Sequence, residues 1–213
     1  MRIHVAGVTI PDSEMATQAM ALLKRDLPRV LISHAFRVFI FSSLIGRRRM
    51  LDFSPEMLFV AAAFHHHGLA PRFSGSTRRF ELDSADAAAH FLHQHGIARQ
   101  EVRNVRDAIA LHSTFGLNGF ESPLIELLSA GVETDLMGCH FDEISDSDRR
   151  AVVQAYPRER AFKSLVIEAL ADGIMWRPAT SFGNVGADVL ERCNPDFYRI
   201  SFCGLVLGSQ WET

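Results

Sequence analysis

Three consecutive histidines, in Phe64-His65-His66-His67-Gly68-Leu69, close an apolar segment with helical character, and no other stretch of the chain is better equipped for chemistry. Imidazole titrates near neutral pH and is the commonest protein ligand for transition metals, so such a cluster beside a helix end suits metal binding or proton transfer. Eight of the ten histidines fall between His34 and His112. His34 sits in a segment, 29–45, that is apolar almost all round, which marks a central buried helix and places the imidazole inside the fold or at a cleft opening into it.

Two further polar residues occupy positions where helical periodicity calls for an apolar one. Val102, Val105 and Ile109 step by three and four residues, and the next position of that stripe is His112. Ile125, Leu128 and Val132 do the same, and the next position is Asp135. A carboxylate facing a core needs a partner. A divalent ion shared by His34, the 65–67 run and Asp135 is one solution; separate core histidines bonded to backbone carbonyls are the other.

The elements that must carry these groups are helices. Asp12 or Ser13 can cap a first helix bearing Met15, Ala19, Leu22 and Leu23, which stops before Pro28. Ser54-Pro55-Glu56 is a capping hydroxyl followed by proline at the first helical position, and that helix runs into the histidines. Residues 70–82 read as a loop, placed to act as a lid, and Asp83 or Ser84 as the cap of a helix bearing Ala85, Ala88, Ala89 and Leu92. A last helix is expected over about 158–171, with an irregular tail from Arg177-Pro178 onward. Arg47-Arg48-Arg49 reads as a solvated turn, and His90 and His93 as a solvated face.

Composition narrows the class. The chain has 213 residues, 47% of them hydrophobic, enough for one sizeable core. Its net charge of -3 leaves no basic footprint for nucleic acid. The apolar stretches near 36–45 and 57–64 read as too short to span a bilayer, and the start of the chain lacks the form of a signal peptide. Cys139, Cys193 and Cys203 form no CxxC pair and suit reduced thiols in the cytoplasm.

Ser33-His34-Ala35-Phe36-Arg37, Ala62-Ala63-Phe64-His65-His66-His67-Gly68-Leu69 and Gly131-Val132-Glu133-Thr134-Asp135 together resemble the HD-domain metal-dependent hydrolases, whose pattern is a first histidine, a His-Asp pair ending a helix and a later aspartate. The resemblance is closest to the cyanamide-hydratase-like branch. It extends to Ile10-Pro11-Asp12, to Arg79-Phe80-Glu81-Leu82-Asp83 with Ala85 to Ala88, to Ala108-Ile109-Ala110-Leu111-His112 and to Arg177-Pro178-Ala179-Thr180. It implies a single all-α HD-like domain over 1–213, with a core at about 28–175 and residues 176–213 packed on it as an extension. It also implies one divalent transition metal, zinc first, with iron, manganese or nickel as alternatives. The ligands would be His34, His65 and Asp135, with His66 where the family places aspartate. His66 then either ligates, turns aside to leave an open position, or marks a domain that has lost its metal.

The expected function is addition of metal-activated water to a small molecule, and by resemblance a nitrile-like or amide-like one. His66, His112 and Arg37 are the candidate catalytic groups, with Phe36, Phe64, Arg72, Phe73 and Thr77 around the substrate. A phosphohydrolase and a catalytically degenerate domain that binds a ligand or partner are the alternatives. The expected partner is a small molecule, with neither nucleic acid nor membrane; self-association is left open.

Overall fold

A computed structural model describes residues 3–116 and 122–210. Among the described residues, a two-stranded antiparallel hairpin, β1 (His4–Val5) and β2 (Val8–Thr9), precedes ten α-helices. These are α1 (Glu14–Asp26), α2 (Arg29–Arg48), α3 (Pro55–Phe64), α4 (Phe80–Gln94), α5 (Arg99–Leu111), α6 (Pro123–Met137), α7 (Asp146–Ala155), α8 (Phe162–Ile174), α9 (Val185–Cys193) and α10 (Phe202–Leu207). The fold is all-α, as expected.

The central helix is α2. Val38, Phe39 and Ile40 are fully buried, and α3, α6 and α8 all pack against it. It is one helix of 20 residues, long and apolar enough by length and composition to cross a membrane, which exceeds the shorter apolar stretch read from the sequence. In the fold 72% of that window is buried. The closest packing is against α6, where a Cβ on Gly131 would meet Ser42 Oγ and lie 2.7 Å from the Val38 carbonyl oxygen. Ser42 Oγ donates to the Leu127 carbonyl at 2.7 Å across the same seam. That approach brings Asp135, one turn beyond Gly131, against His34 and Arg37.

Helix starts follow capping chemistry where a side chain is free to cap. Ser13 and Ser54 accept from Ala16 N–H and Met57 N–H, with Pro55 at the first position of α3. Ser122, before α6, makes no such bond, and α4 starts at Phe80 rather than at the expected Asp83 or Ser84. Ser84 Oγ instead accepts the Gly68 N–H at 2.7 Å, and Asp83 binds Arg177 at 2.5 Å. Both potential caps are thus committed to the histidine turn and the chain beyond it. Other departures are the N-terminal hairpin, α7, a last core helix at 162–174 in place of 158–171, and two helices in the tail expected to be irregular. Arg49 is no solvated turn residue: it reaches Glu143 at 2.5 Å and also pairs with Glu126, tying the end of α2 to α6 and to the turn before α7.

Candidate metal centre

The α3 helix ends at Phe64, and its termination decides which way the histidines point. In a continuing helix, His65 and His66 would diverge by about 100°. Here His65 has φ -59°, ψ -22° and His66 turns to φ -109°, ψ 6°, before a single 3-10 turn at His67–Leu69. The turn folds the second ring back over the first, with centroids 4.0 Å apart. Gly68 permits this, because a Cβ there would collide with the Phe80 carbonyl at the start of α4. His34, on α2, completes the group with its ring 5.2 Å from each of the other two.

One nitrogen from each of His34, His65 and His66 can be chosen so that all three lie within 4.8 Å of one another, and the three residues are 0%, 1% and 3% exposed. Two imidazole nitrogens bound at the usual ~2.0–2.1 Å can be separated by up to about 4 Å, close to this spread. The group could therefore hold a metal ion. Hydrogen bonding fixes which nitrogen is free in His34 and His65. His34 Nδ1 lies 2.6 Å from Asp135 Oδ2, and His65 Nδ1 lies 2.7 Å from the Ala62 carbonyl oxygen. A carboxylate and a carbonyl can only accept, so each Nδ1 carries the proton and each Nε2 a lone pair. His34 Nε2, His65 Nε2 and His66 Nδ1 are buried without any hydrogen-bond partner. An unsatisfied buried polar atom costs about 1–3 kcal/mol. Three of them on neighbouring rings suit the ligation of one cation.

Asp135 does not join the three. Its carboxylate accepts from His34 Nδ1, from Arg37 Nε at 2.7 Å and Nη2 at 2.9 Å, and from Arg158 Nη1 at 3.0 Å. Burial alone would raise its pKa, but the His34 and Arg37 hydrogen bonds overcome that and hold it far below the ordinary carboxylate value. Arg37, fully buried, spends its remaining donors on the Tyr156 and Pro157 carbonyls and stacks over Phe162. Asp135, expected as a ligand, thus lies against the far nitrogen of His34. Arg37, expected at the substrate, is held by that carboxylate.

His112 stands beside the centre, its ring 5.1 Å from that of His65 and 5.5 Å from that of His66. Its Nδ1 donates to the Ile109 carbonyl at 2.6 Å, leaving the lone pair on Nε2. Burial lowers the pKa of His112, while Glu81 opposes the shift. Burial and the neighbouring histidines lower those of His65 and His66 as well, so all three rings are neutral. His67 faces away from the group and is buried, stacked on Phe64, with Nε2 3.3 Å from Asp26 Oδ2.

The expected substrate residues do not converge. Phe36 stacks on Tyr156 at 4.5 Å, whereas Phe64, Arg72 and Phe73 line a separate cavity beside α4. Thr77 and Arg72 are exposed, and Arg72 pairs with Asp26 at 3.3 Å. Glu133, adjacent to Asp135, bonds His140 at 2.8 Å, and His90 and His93 lie on an exposed face.

Three groups near the centre were not singled out from the sequence. Glu81, 2% exposed, accepts the Ser113 hydroxyl at 2.5 Å and Arg79 at 2.8 Å, which outweigh burial and lower its pKa. Arg158 braces Asp135. Arg177, 4% exposed, joins Asp83 to the Gly68 carbonyl and clamps the histidine turn from the C-terminal side. Glu81 was legible: it lies four residues before Ala85 and seven before Ala88, on the same inward stripe. Comparison with family models and with curated proteins finds no match for this chain.

Proposed function

We propose that this chain is a metal-dependent hydrolase or hydratase of the HD-domain type, in which His34, His65 and His66 hold one divalent transition ion. The observation that carries the reading is the grouping of three buried histidines, each with a ring nitrogen that has no hydrogen-bond partner. Three neutral nitrogen donors suit zinc ahead of iron, manganese or nickel, and leave a fourth tetrahedral position free of protein. When bound, the ion supplies a Lewis acid that brings the pKa of water to about 7 and polarises an unsaturated carbon–nitrogen bond.

The surrounding side chains have separate tasks. Asp135 keeps the His34 proton on Nδ1 and so keeps Nε2 available. His112 Nε2 can accept a proton from water as it is activated and return it to the substrate nitrogen. Glu81, held anionic by Arg79 and Ser113, stabilises the His112 imidazolium that forms between those two transfers. Sealed burial of the centre favours a small, weakly polar substrate such as a nitrile or simple amide.

Phosphohydrolysis has less support. Arg37 and Arg158 are occupied by Asp135, and Arg78 pairs with Asp86 at 2.8 Å, so no free cation faces the centre among the described residues. A degenerate binding module would not need three buried histidine nitrogens left without partners.

The test is hydration of a panel of small nitriles and amides by zinc-reconstituted protein. Turnover is expected, with His112→Ala lowering kcat by about 10²–10⁴-fold at little change in KM and exogenous imidazole restoring part of it. Turnover unaffected by His112→Ala would remove the proton-transfer role; absence of turnover in fully zinc-loaded protein would favour the binding module.

A further inference from the structure

A cavity of about 610 Å³ forms a cleft between α8 and the corner where α1 passes into α2. Its volume lies in the range of small-molecule sites, about 300–1,000 Å³. Leu165, Glu168 and Asp172 project from α8 at spacings of three and four residues and, with Trp176 just past its end, form one wall. Leu31, one turn before His34, and Leu69, just after the histidine run, lie on the opposite side. The lining is apolar apart from Ser74 and three carboxylates, Asp26, Glu168 and Asp172, and it contains no lysine, arginine or histidine.

These carboxylates are not equivalent. Asp26 is matched by Arg25 at 2.6 Å and Arg72 at 3.3 Å. Glu168 and Asp172 have no ion-pair partner among the described residues. An apolar cleft of ligand size therefore carries two uncompensated negative charges along one edge. The indole of Trp176, 68% exposed, stands at the same edge and offers a π face to a cation.

We propose that this cleft binds a small organic monocation, a protonated amine on an apolar or aromatic body. The ammonium sits between Glu168 and Asp172, and the body lies against Leu31, Leu69 and the Trp176 ring. This site is distinct from the metal centre, with which it shares no residue, and it does not depend on metal. One feature of the fold opposes it: the α2 N-terminus, at Pro28 and Arg29, brings a partial positive charge to the same cleft. An isosteric carboxylate measures that opposition directly.

Phenethylammonium, phenylacetate and 2-phenylethanol are titrated against the full chain by calorimetry, with Trp176 fluorescence as a second signal and Trp176→Phe as its control. The amine is expected to bind at least tenfold more tightly than phenylacetate, and to weaken as salt is raised. Glu168→Gln and Asp172→Asn each should weaken it about two- to fivefold, as partly exposed charges do. Both positions are exposed, and unchanged circular dichroism verifies folding. His34→Ala, which removes a metal ligand, should leave amine affinity unchanged, so failure here and failure of the metal reading are separable. Phenylacetate binding as tightly as the amine would overturn the proposal. So would indifference to the paired carboxylate substitutions, or no saturation at about 10 mM amine.

Discussion

Replacing Asp135 with asparagine separates an orienting carboxylate from a ligand. The side chain keeps its shape but exchanges one acceptor oxygen for an amide donor, and the native carboxylate accepts from His34, twice from Arg37 and from Arg158. With the amide toward His34 Nδ1 and Arg37 Nη2, two donors face a donor, and His34 is driven to the tautomer that puts its proton on Nε2. With the amide turned the other way, Arg37 Nε and Arg158 lose their acceptor. In either rotamer the buried Arg37 guanidinium loses its counter-charge, which costs about 3–5 kcal/mol. In a chain of this size each kcal/mol shifts Tm by about 2–4 °C, so a fall of about 6–20 °C is expected in a thermal melt. Zinc affinity, measured by competition with a chromophoric chelator, should fall about 10–100-fold, the usual cost of losing a partner behind a ligating histidine. His34→Ala should abolish tight binding. Equal zinc affinity in wild type and Asp135→Asn would refute the orienting role, and loss as complete as in His34→Ala would make Asp135 a direct ligand.

Gly131→Ala should destabilise by about 1–3 kcal/mol, since its methyl meets Ser42 Oγ and the Val38 carbonyl at the α2–α6 seam; chemical denaturation reads this as a lowered midpoint with unchanged slope. Arg177→Met leaves Asp83 buried and unpaired and should cost about 3–5 kcal/mol, with amide exchange accelerating at residues 67–70 before the rest of the fold. Burial, the largest cause in each case, puts the pKa values of His65, His66 and His112 below the ordinary value and, with Arg72 adding to it, takes that of His67 to about 4. The unfolded chain therefore binds protons first as pH falls through about 6.5, and metal-free protein should lose stability from there downward, by up to about 1.4 kcal/mol per pH unit for each ring. A melting temperature flat between about pH 7 and 5 would show these rings to be solvated.

How much of this was legible turns on which signals are local. The inward placement of His112 and Asp135 followed from helical period, because a stripe of Val, Ile and Leu fixes the direction of the next residue on it, and that of His34 from a segment apolar almost all round. What Asp135 meets there did not follow. Period says that a carboxylate faces inward but not whether a cation or a guanidinium answers it, and here Arg37 and Arg158 do. The pairing of His65 with His66 required the helix to stop at Phe64, which Gly68 signalled only in outline. The start of α4 was misplaced because Ser84 and Asp83 look like caps, and nothing nearby in sequence reveals that Gly68 and Arg177 claim them. Arg49 and Arg177 were invisible as anchors for the same reason: their partners lie about 80–110 residues away.

The account stands or falls on three imidazoles sharing one ion. Chelator-stripped protein titrated with zinc, and with cobalt for its visible spectrum, should take up one equivalent per chain. That uptake should be lost in each of His34→Ala, His65→Ala and His66→Ala and retained in His90→Ala. A wild-type chain that takes up neither metal, or a His66→Ala chain that binds zinc as tightly as the wild type, would contradict it.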